Sequence, residues 1–366
     1  MTQEHNVILT GIKPSGMPHL GNYCGAIKPM VEAINNKSDN ETIYMFIPDI
    51  HVVNGGLEPA KIREFTYGML ATYLACGMDP SKVVIYRQSA IRQHAELATL
   101  LNNFTPKGMM NRAHSYKATM AKGGNPEIEA LINELVAKGA TGEDVIKAIK
   151  EDLAARDSNI NMGLYTYPIL MAADILLYHT NTVPVGKDQI QHIEMARDIA
   201  SSFNNQYSET FTIPNYESKE DAPEIAGLDG RKMSKSYGNH IPMFCNENEL
   251  KSLVKKIITD SARPEEKKDV EGSTLVQLYN LFADDAKSAD FKQRLEQGGF
   301  GYGDAKMELF ELINSELAEK RAKYNELMQD RKALDAILRD GEEQARRVAE
   351  KTMRKVRKKM GLVDSI

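Results

Sequence analysis

Val7-Ile8-Leu9-Thr10-Gly11-Ile12-Lys13-Pro14-Ser15-Gly16, with His19-Leu20-Gly21-Asn22 just beyond, is the stretch that decides the fold. Strand-forming residues run into a loop punctuated by Gly11, Pro14 and Gly16, and a helical pattern follows from near Gly21 to about Asn36. Working outward, residues 41–47 read as a second strand and 82–86 as a third. Between them, 59–76 reads as an amphipathic helix stopped at Gly77. Another helix begins near Arg92, and a later strand at 181–185 ends at Gly186 and opens a further helix. Strands alternating with helices in this way predict an α/β, Rossmann-like, doubly wound parallel sheet.

Two regions break the rhythm. Residues 121–158 read as a helical insertion, a hairpin of helices over 126–137 and 143–155 lying over one rim of the sheet. Its second helix opens on Thr141 with Asp144 three residues on, the spacing of a capping box. Beyond about Ile241 the strands cease, and 247–259, 273–283 and 304–338 read as helices. The domain reading is therefore a catalytic domain over 1–240 and an all-helical one over 241–366. Residues 346–360 carry eight basic side chains and one acid, net +7 against −5 for the whole chain, so the remainder carries −12. Ala345, Val348, Thr352, Val356 and Met360 recur at helical spacing there, an amphipathic basic helix. A solvated face accounts for that charge, and a polyanion contact becomes the alternative if a nucleic acid is implied elsewhere.

Composition sets the outer bounds. At about 150 residues per domain, 366 residues make two to two and a half domains, and ordinary Gly and Pro contents exclude fibrous or low-complexity classes. Cys24, Cys76 and Cys245 are far apart, with no C-x-x-C pair, which argues against a metal ribbon or disulfide framework and fits a reducing cytoplasm. Neither a leader nor an apolar run of membrane-spanning length is visible, so no membrane contact is expected. The chain has 15 Tyr and 10 Phe but no Trp.

Three constellations carry chemistry. The loop from Gly11 to Gly16 and the helix start at His19–Asn22 offer close backbone approach and N–H groups suited to phosphate. Lys232-Met233-Ser234-Lys235-Ser236, flanked by Gly230 and Gly238-Asn239, suits a mobile clamp on a polyphosphate. Residues 165–178 place Tyr167, Leu170, Met171, Asp174, Leu177 and Tyr178 on one helical stripe, with a carboxylate in an apolar face. Such an Asp is either paired with another protein group or is a buried acceptor for a ligand donor such as an indole N–H.

Together the H-L-G-N and K-M-S-K-S segments resemble the signature pair of class I aminoacyl-tRNA synthetases. With 165–178 and Val183-Pro184-Val185-Gly186-Lys187-Asp188-Gln189-Ile190-Gln191-His192, the chain is similar to the bacterial tryptophanyl-tRNA synthetases over essentially its whole length, outside the insertion. The resemblance implies that Lys13, Pro14, Ser15, Gly21 and Asn22 contact ATP, with His19 and Asn22 at the reacting phosphates. It implies Asp174 on the indole N–H with Met171 beside the ring, Tyr167 and Gln189 on the ammonium and carboxylate, and His51 as a pocket residue. Gly186, Lys187 and Asp188 would line ribose and adenine. Lys232, Met233, Ser234, Lys235 and Ser236 would bind the triphosphate, with Lys117 an additional ATP lysine. Lys13 stands where the family usually has Gln, and Lys187 where it usually has Glu, so both add positive charge near the nucleotide.

The activity so implied is ATP-dependent joining of L-tryptophan to tRNA(Trp), by a homodimer, with Mg²⁺ held by the ATP phosphates and no metal cage of protein ligands. The helical part and the basic 346–360 helix would meet the anticodon side of the tRNA. Three rivals remain: a tyrosyl-tRNA synthetase, a nucleotidyltransferase acting on a small metabolite, and a non-catalytic paralogue that binds tryptophan or tRNA.

Overall fold

The computed structural model describes residues 5–11, 13–14, 16–121, 124–218 and 224–363. β1 (Asn6–Gly11) leads through the glycine loop to α1 (Leu20–Asn22), a π turn (Tyr23–Ile27) and α2 (Lys28–Asn35). β2 (Glu41–Ile47) leads to α3 (Asp49–Val52) and α4 (Pro59–Ala75). β3 (Val84–Arg87) leads to α5 (Gln93–Leu101), α6 (Lys107–Met110) and α7 (His114–Met120). The hairpin of α8 (Gly124–Ala137) and α9 (Gly142–Ser158) follows, then α10 (Met162–Leu176), β4 (Thr182–Pro184), α11 (Ile190–Tyr207) and β5 (Asn215–Glu217). The helical part holds α12 (Glu247–Lys255), α13 (Thr274–Asn280), α14 (Asp285–Gln297), α15 (Tyr302–Gln329) and α16 (Arg331–Met360).

The sheet is parallel throughout, in the order β3-β2-β1-β4-β5. Side chains alternate across it with period two. Ile43, Met45, Ile47 and Ile85 enter a core shared with α2, α4, α12, α13 and α15. Leu9, Tyr44, Tyr86 and Val183 enter the other, with α5, α10, α11 and the second half of α16. The strand order reverses between β1 and β4, so the loops leaving their C-terminal ends part and open a crevice there.

The observed elements depart from the expected ones at several places. The third strand is Val84–Arg87, two residues narrower at its start, and α4 is buried on nearly all sides in its second half rather than amphipathic. The first helix does not run evenly; a π turn carries Tyr23, whose hydroxyl donates to Glu316 of α15. The expected 304–338 helix ends at Gln329. There the Asp330 side chain accepts from the Ala333 N–H and starts a new 30-residue helix, so the basic segment is the second half of α16. α14 and β5 had no counterpart among the expected elements. The Thr141–Asp144 capping box is present in full, and α9 stands on α7, where Tyr116 donates to Asp157 across 2.7 Å.

α16 lies against the sheet. Gly341 approaches β3 so closely that a Cβ there would overlap the Ile85 carbonyl, and Arg87 donates to Glu342 across 2.6 Å. Several of the basic side chains are engaged within the protein. Arg357 binds Glu96 through two nitrogens, Lys359 donates to Ser208 and to the Glu209 carbonyl, and Arg346 donates to the Ala90 carbonyl. Lys351, Arg354, Lys355 and Lys358 are exposed. Among the described residues no helix is long and apolar enough to cross a membrane.

Candidate active site

Two clefts meet at the crevice predicted by the strand order. The larger, about 480 Å³, opens between the ends of β1 and β4 and is lined by Thr10, Gly11, Lys13, His51, Tyr167, Met171, Asp174, Gly186 and Gln189 among others. The smaller, about 210 Å³, is lined by Lys13, Gly16, Pro18, His19, Asn22, Ser234 and Lys235. Lys13 lines both and joins them.

In the smaller cleft the two signature loops are bound to each other. The Leu20 N–H donates to the Ile241 carbonyl (3.0 Å) and the Met243 N–H to the Pro18 carbonyl (2.9 Å). The Gly21 N–H donates to Met233 Sδ at 3.3 Å, so buried Met233 serves as a packing anchor between the loops. Lys235 Nζ lies 2.8 Å from where a Cβ on Gly16 would sit, over a loop residue with φ +137°. Desolvation lowers the ammonium pKa of both Lys13 and Lys235.

His19 and Asn22 cap α1 reciprocally. The His19 N–H donates to Asn22 Oδ1, and the Asn22 N–H donates to His19 Nδ1 at 3.3 Å. Burial, then Lys235 and His240, push the His19 pKa down to about 4, so the ring is neutral near pH 7. With Nδ1 accepting, its proton sits on Nε2. Asn239, quoted in the sequence only as a neighbour of the loop, is buried beneath it. Its Oδ1 accepts from the Ser234 N–H (2.8 Å), and its Nδ2 donates to Asp229 (2.6 Å) and to the Lys232 carbonyl (3.1 Å).

In the larger cleft Asp174 has no exposed surface. Rather than an acceptor left open for a ligand, it already holds three protein donors: Gln88 Nε2, His94 Nδ1 and His51 Nε2. Burial alone pushes its carboxyl pKa up, but His94 and His51 outweigh that and hold it below the usual range. Behind it, His94 Nε2 lies 3.1 Å from the Tyr178 hydroxyl. Gln88 and His94, both missed by sequence reasoning, are fully buried; Gln88 is oriented by the Ile50 N–H, which donates to its Oε1.

A second polar chain runs along the other wall. Gln189 Nε2 donates to Asp188 Oδ2 at 2.6 Å, which leaves Gln189 Oε1 as acceptor for His192 Nδ1 at 3.0 Å. Burial is the first cause that pushes His192 down to about 4, so the ring is neutral and its Nε2 accepts from the Tyr167 hydroxyl at 2.6 Å. The direction of every bond is set by the Asp188 carboxylate, and Tyr167 presents only oxygen lone pairs to the cleft.

Not every expected residue reaches these clefts. Ser15 lies outside the described residues. Lys117 is exposed on α7 and lines neither cleft, nor do Pro14, Gly21, Lys187, Asp188, Met233 or Ser236. Lys232 pairs with Glu224 at 2.9 Å on the surface. Among the described residues no group of three His, Cys, Asp or Glu is placed to hold a metal ion.

The model of the family "tRNA synthetases class I (W and Y)" matches residues 1–136 and 140–318. The chain is 44% identical over 366 residues to the tryptophan–tRNA ligase of Xanthomonas axonopodis pv. citri, covering 100% of this chain and 78% of that one. It is 43% identical to the tryptophan–tRNA ligase of Neisseria meningitidis, covering 97% of each. Its fold matches the tryptophanyl-tRNA synthetase of Campylobacter jejuni solved with ADP and tryptophan, with a TM-score of 0.82 and 40% identity over 97% of this chain and 100% of that one. A family model over most of the sequence and relatives above 40% identity along its whole length agree, and the chain belongs to the class I tRNA synthetases of the tryptophan and tyrosine group.

Proposed function

We propose that the chain activates L-tryptophan with ATP, releasing pyrophosphate, and then passes the tryptophanyl group from the adenylate to tRNA(Trp). The observation that carries this reading is one fully buried, donor-rich carboxylate, Asp174, in a cleft that continues through Lys13 into the cationic space between the signature loops. An ionised Asp is acceptor only and an indole N–H donor only. Similarity to proteins named tryptophan–tRNA ligases supports tryptophan rather than tyrosine as the amino acid.

In the first step the tryptophan carboxylate attacks the α-phosphorus of ATP. A P–O bond to that carboxylate forms as the bond to pyrophosphate breaks. A carboxylate at pH 7 needs no base, so the protein's work is positioning and charge. Tyr167 accepts from the substrate ammonium, Gln189 meets the carboxylate, and Asp174 fixes the ring beside Met171. Lys13 stands where the clefts join, next to the reacting phosphate, while His19 Nε2–H and Lys235 meet the charge that develops on the leaving pyrophosphate. Lys232, on the second signature loop, and Lys117, on α7, are the further lysines assigned to the phosphates, and Gly186, Lys187 and Asp188 are assigned to ribose and adenine. Among the described residues the smaller cleft is lined by cations and no carboxylate, so Mg²⁺ would be held by the triphosphate oxygens and neutralise charge there.

In the second step the terminal ribose hydroxyl of the tRNA attacks the adenylate carbonyl and AMP leaves. Residues 1–240 serve as the catalytic unit and 241–366 meet the anticodon side, with Lys351, Arg354, Lys355 and Lys358 as candidate phosphate contacts. The reading extends to a homodimer, implied by the resemblance, and to the cytoplasm, supported by three free cysteines. Pyrophosphate exchange with each amino acid in turn, followed by tRNA charging, tests it. Exchange with tryptophan alone is expected; exchange with tyrosine, or none, would refute it.

A further inference from the structure

The acceptor proposed for the indole N–H is in use before any ligand arrives. Asp174 Oδ1 accepts from Gln88 Nε2 at 2.8 Å and His94 Nδ1 at 2.6 Å, while Oδ2 accepts from His51 Nε2 and the shared Gln88 amide, both at 3.0 Å. Asp174, Gln88 and His94 have no exposed surface, and His51, 12% exposed, is the one donor that reaches the cleft. A ring entering the cleft therefore meets His51 before it meets the carboxylate.

We propose that His51 is an internal substitute for the ligand: it donates to Asp174 Oδ2 while the cleft is empty and gives up that place to the indole N–H when tryptophan binds. This deepens, and rests on, the reading of the cleft as a tryptophan site. A buried carboxylate short of a donor is costly, so the empty site needs a donor, and His51 supplies one that can leave. It can leave because of where it is held. α3 is a four-residue helix followed by a single 3₁₀ turn that ends at Gly56 with φ +65°. Val52 anchors that segment in the core, while Val53 next to it is 62% exposed. Binding then exchanges one donor for another. An amino acid of the same shape without a donor expels His51 and puts nothing in its place, so the site selects for the N–H.

The exchange has a signature that a simple contact lacks. Competition from His51 weakens every ring that must expel it by the same factor, while the preference for an N–H belongs to Asp174 alone. The experiment measures dissociation constants of tryptophan and of 3-(benzothien-3-yl)alanine, whose sulfur replaces the N–H. They are compared in the unaltered chain, His51→Leu and Asp174→Ala. His51→Leu is expected to bind both amino acids about tenfold more tightly with their ratio unchanged, as one hydrogen bond to a charged group no longer has to be broken; Asp174→Ala is expected to erase the ratio. Weaker or unchanged binding of both by a folded His51→Leu overturns the proposal. Because that variant can also fail to fold, the unaltered chain is read directly by the ¹⁵N resonances of the His51 ring. They must lose the signature of the Asp174 hydrogen bond at saturating tryptophan, and persistence of that bond in the complex overturns the exchange while leaving the tryptophan site standing. If tryptophan does not bind at all, the site reading itself falls, and this proposal with it.

Discussion

The hydroxyl of Tyr167 donates to Nε2 of His192 across 2.6 Å, the last link of a chain whose direction starts at the Asp188 carboxylate. His192→Phe keeps a ring of similar size but frees the Tyr167 proton to turn toward the cleft, where it opposes the substrate ammonium. The tryptophan KM in pyrophosphate exchange should rise by about tenfold or more, the equivalent of one hydrogen bond to a charged group, with a smaller change in kcat. An unmoved KM would remove His192 from the site.

Asp174→Ala removes the acceptor proposed for the indole and strands the Gln88 and His94 donors. The tryptophan KM should rise by roughly a hundredfold, since a site built on a hydrogen bond loses more than the bond when a partner is deleted. Equal binding of tryptophan and its donor-less analogue by the variant checks the cause. The absence of any Trp from the chain makes the measurement direct, because the added amino acid is the only indole emitter.

Lys235→Ala should leave tryptophan affinity within about twofold and lower the rate of pyrophosphate exchange by roughly a hundredfold or more, the usual effect of deleting one preorganised contact to developing charge. Single-turnover adenylate formation separates the two quantities. A rate that stays unchanged would deny Lys235 its place over the phosphates.

Stability should fall as the solution is acidified from about pH 6.5 to 4. His19 and His192 titrate at about 4 in the folded chain against an ordinary 6.5, so the unfolded chain takes up those protons first and is favoured throughout that window. Below it this contribution levels off. Thermal midpoints measured across the range test the sign, and the slope should flatten in His192→Phe.

Gly341→Ala should destabilise the fold by about 3 kcal/mol, toward the upper end of overpacking effects, because the new Cβ meets the backbone carbonyl of Ile85 rather than a side chain able to turn aside. Denaturant unfolding gives the value. A loss below about 1 kcal/mol would mean that α16 can lift off β3 at little cost.

The parts of the fold legible in the sequence are those where a local pattern and the tertiary environment agree. Residues 41–47 form a strand to the residue because Ile43, Met45 and Ile47 on one face and Tyr44 on the other are buried. β5 escaped because its three residues are all exposed, held by pairing to β4 and by Arg197 of α11 donating to the Asn215 side chain, neither of which a local pattern reveals. α14 escaped because just Phe291 and Leu295 are buried in a charged segment, too few to set a period. The break at Asp330 carries no Gly or Pro, and a lone Asp signals a cap only once the turn around it is known. At the site, Asp174, Tyr167 and Lys235 could be found from short motifs. Gln88 and His94 could not: they sit 86 and 80 positions from the carboxylate they serve, and only the return of the chain through the sheet brings them to it.

The close seating of α16 on β3 also bears on how the chain is made. Arg87 and Glu342, bonded in the finished molecule, are 255 positions apart. At synthesis rates of about 5–20 residues per second, the nascent β3 edge waits roughly ten to fifty seconds for the helix that covers it. Among the described residues all five strands are complete before α16 emerges. During that interval the strand edge and the apolar side chains around Tyr86 lack the cover that α16 supplies, the condition in which an unpaired edge templates aggregation.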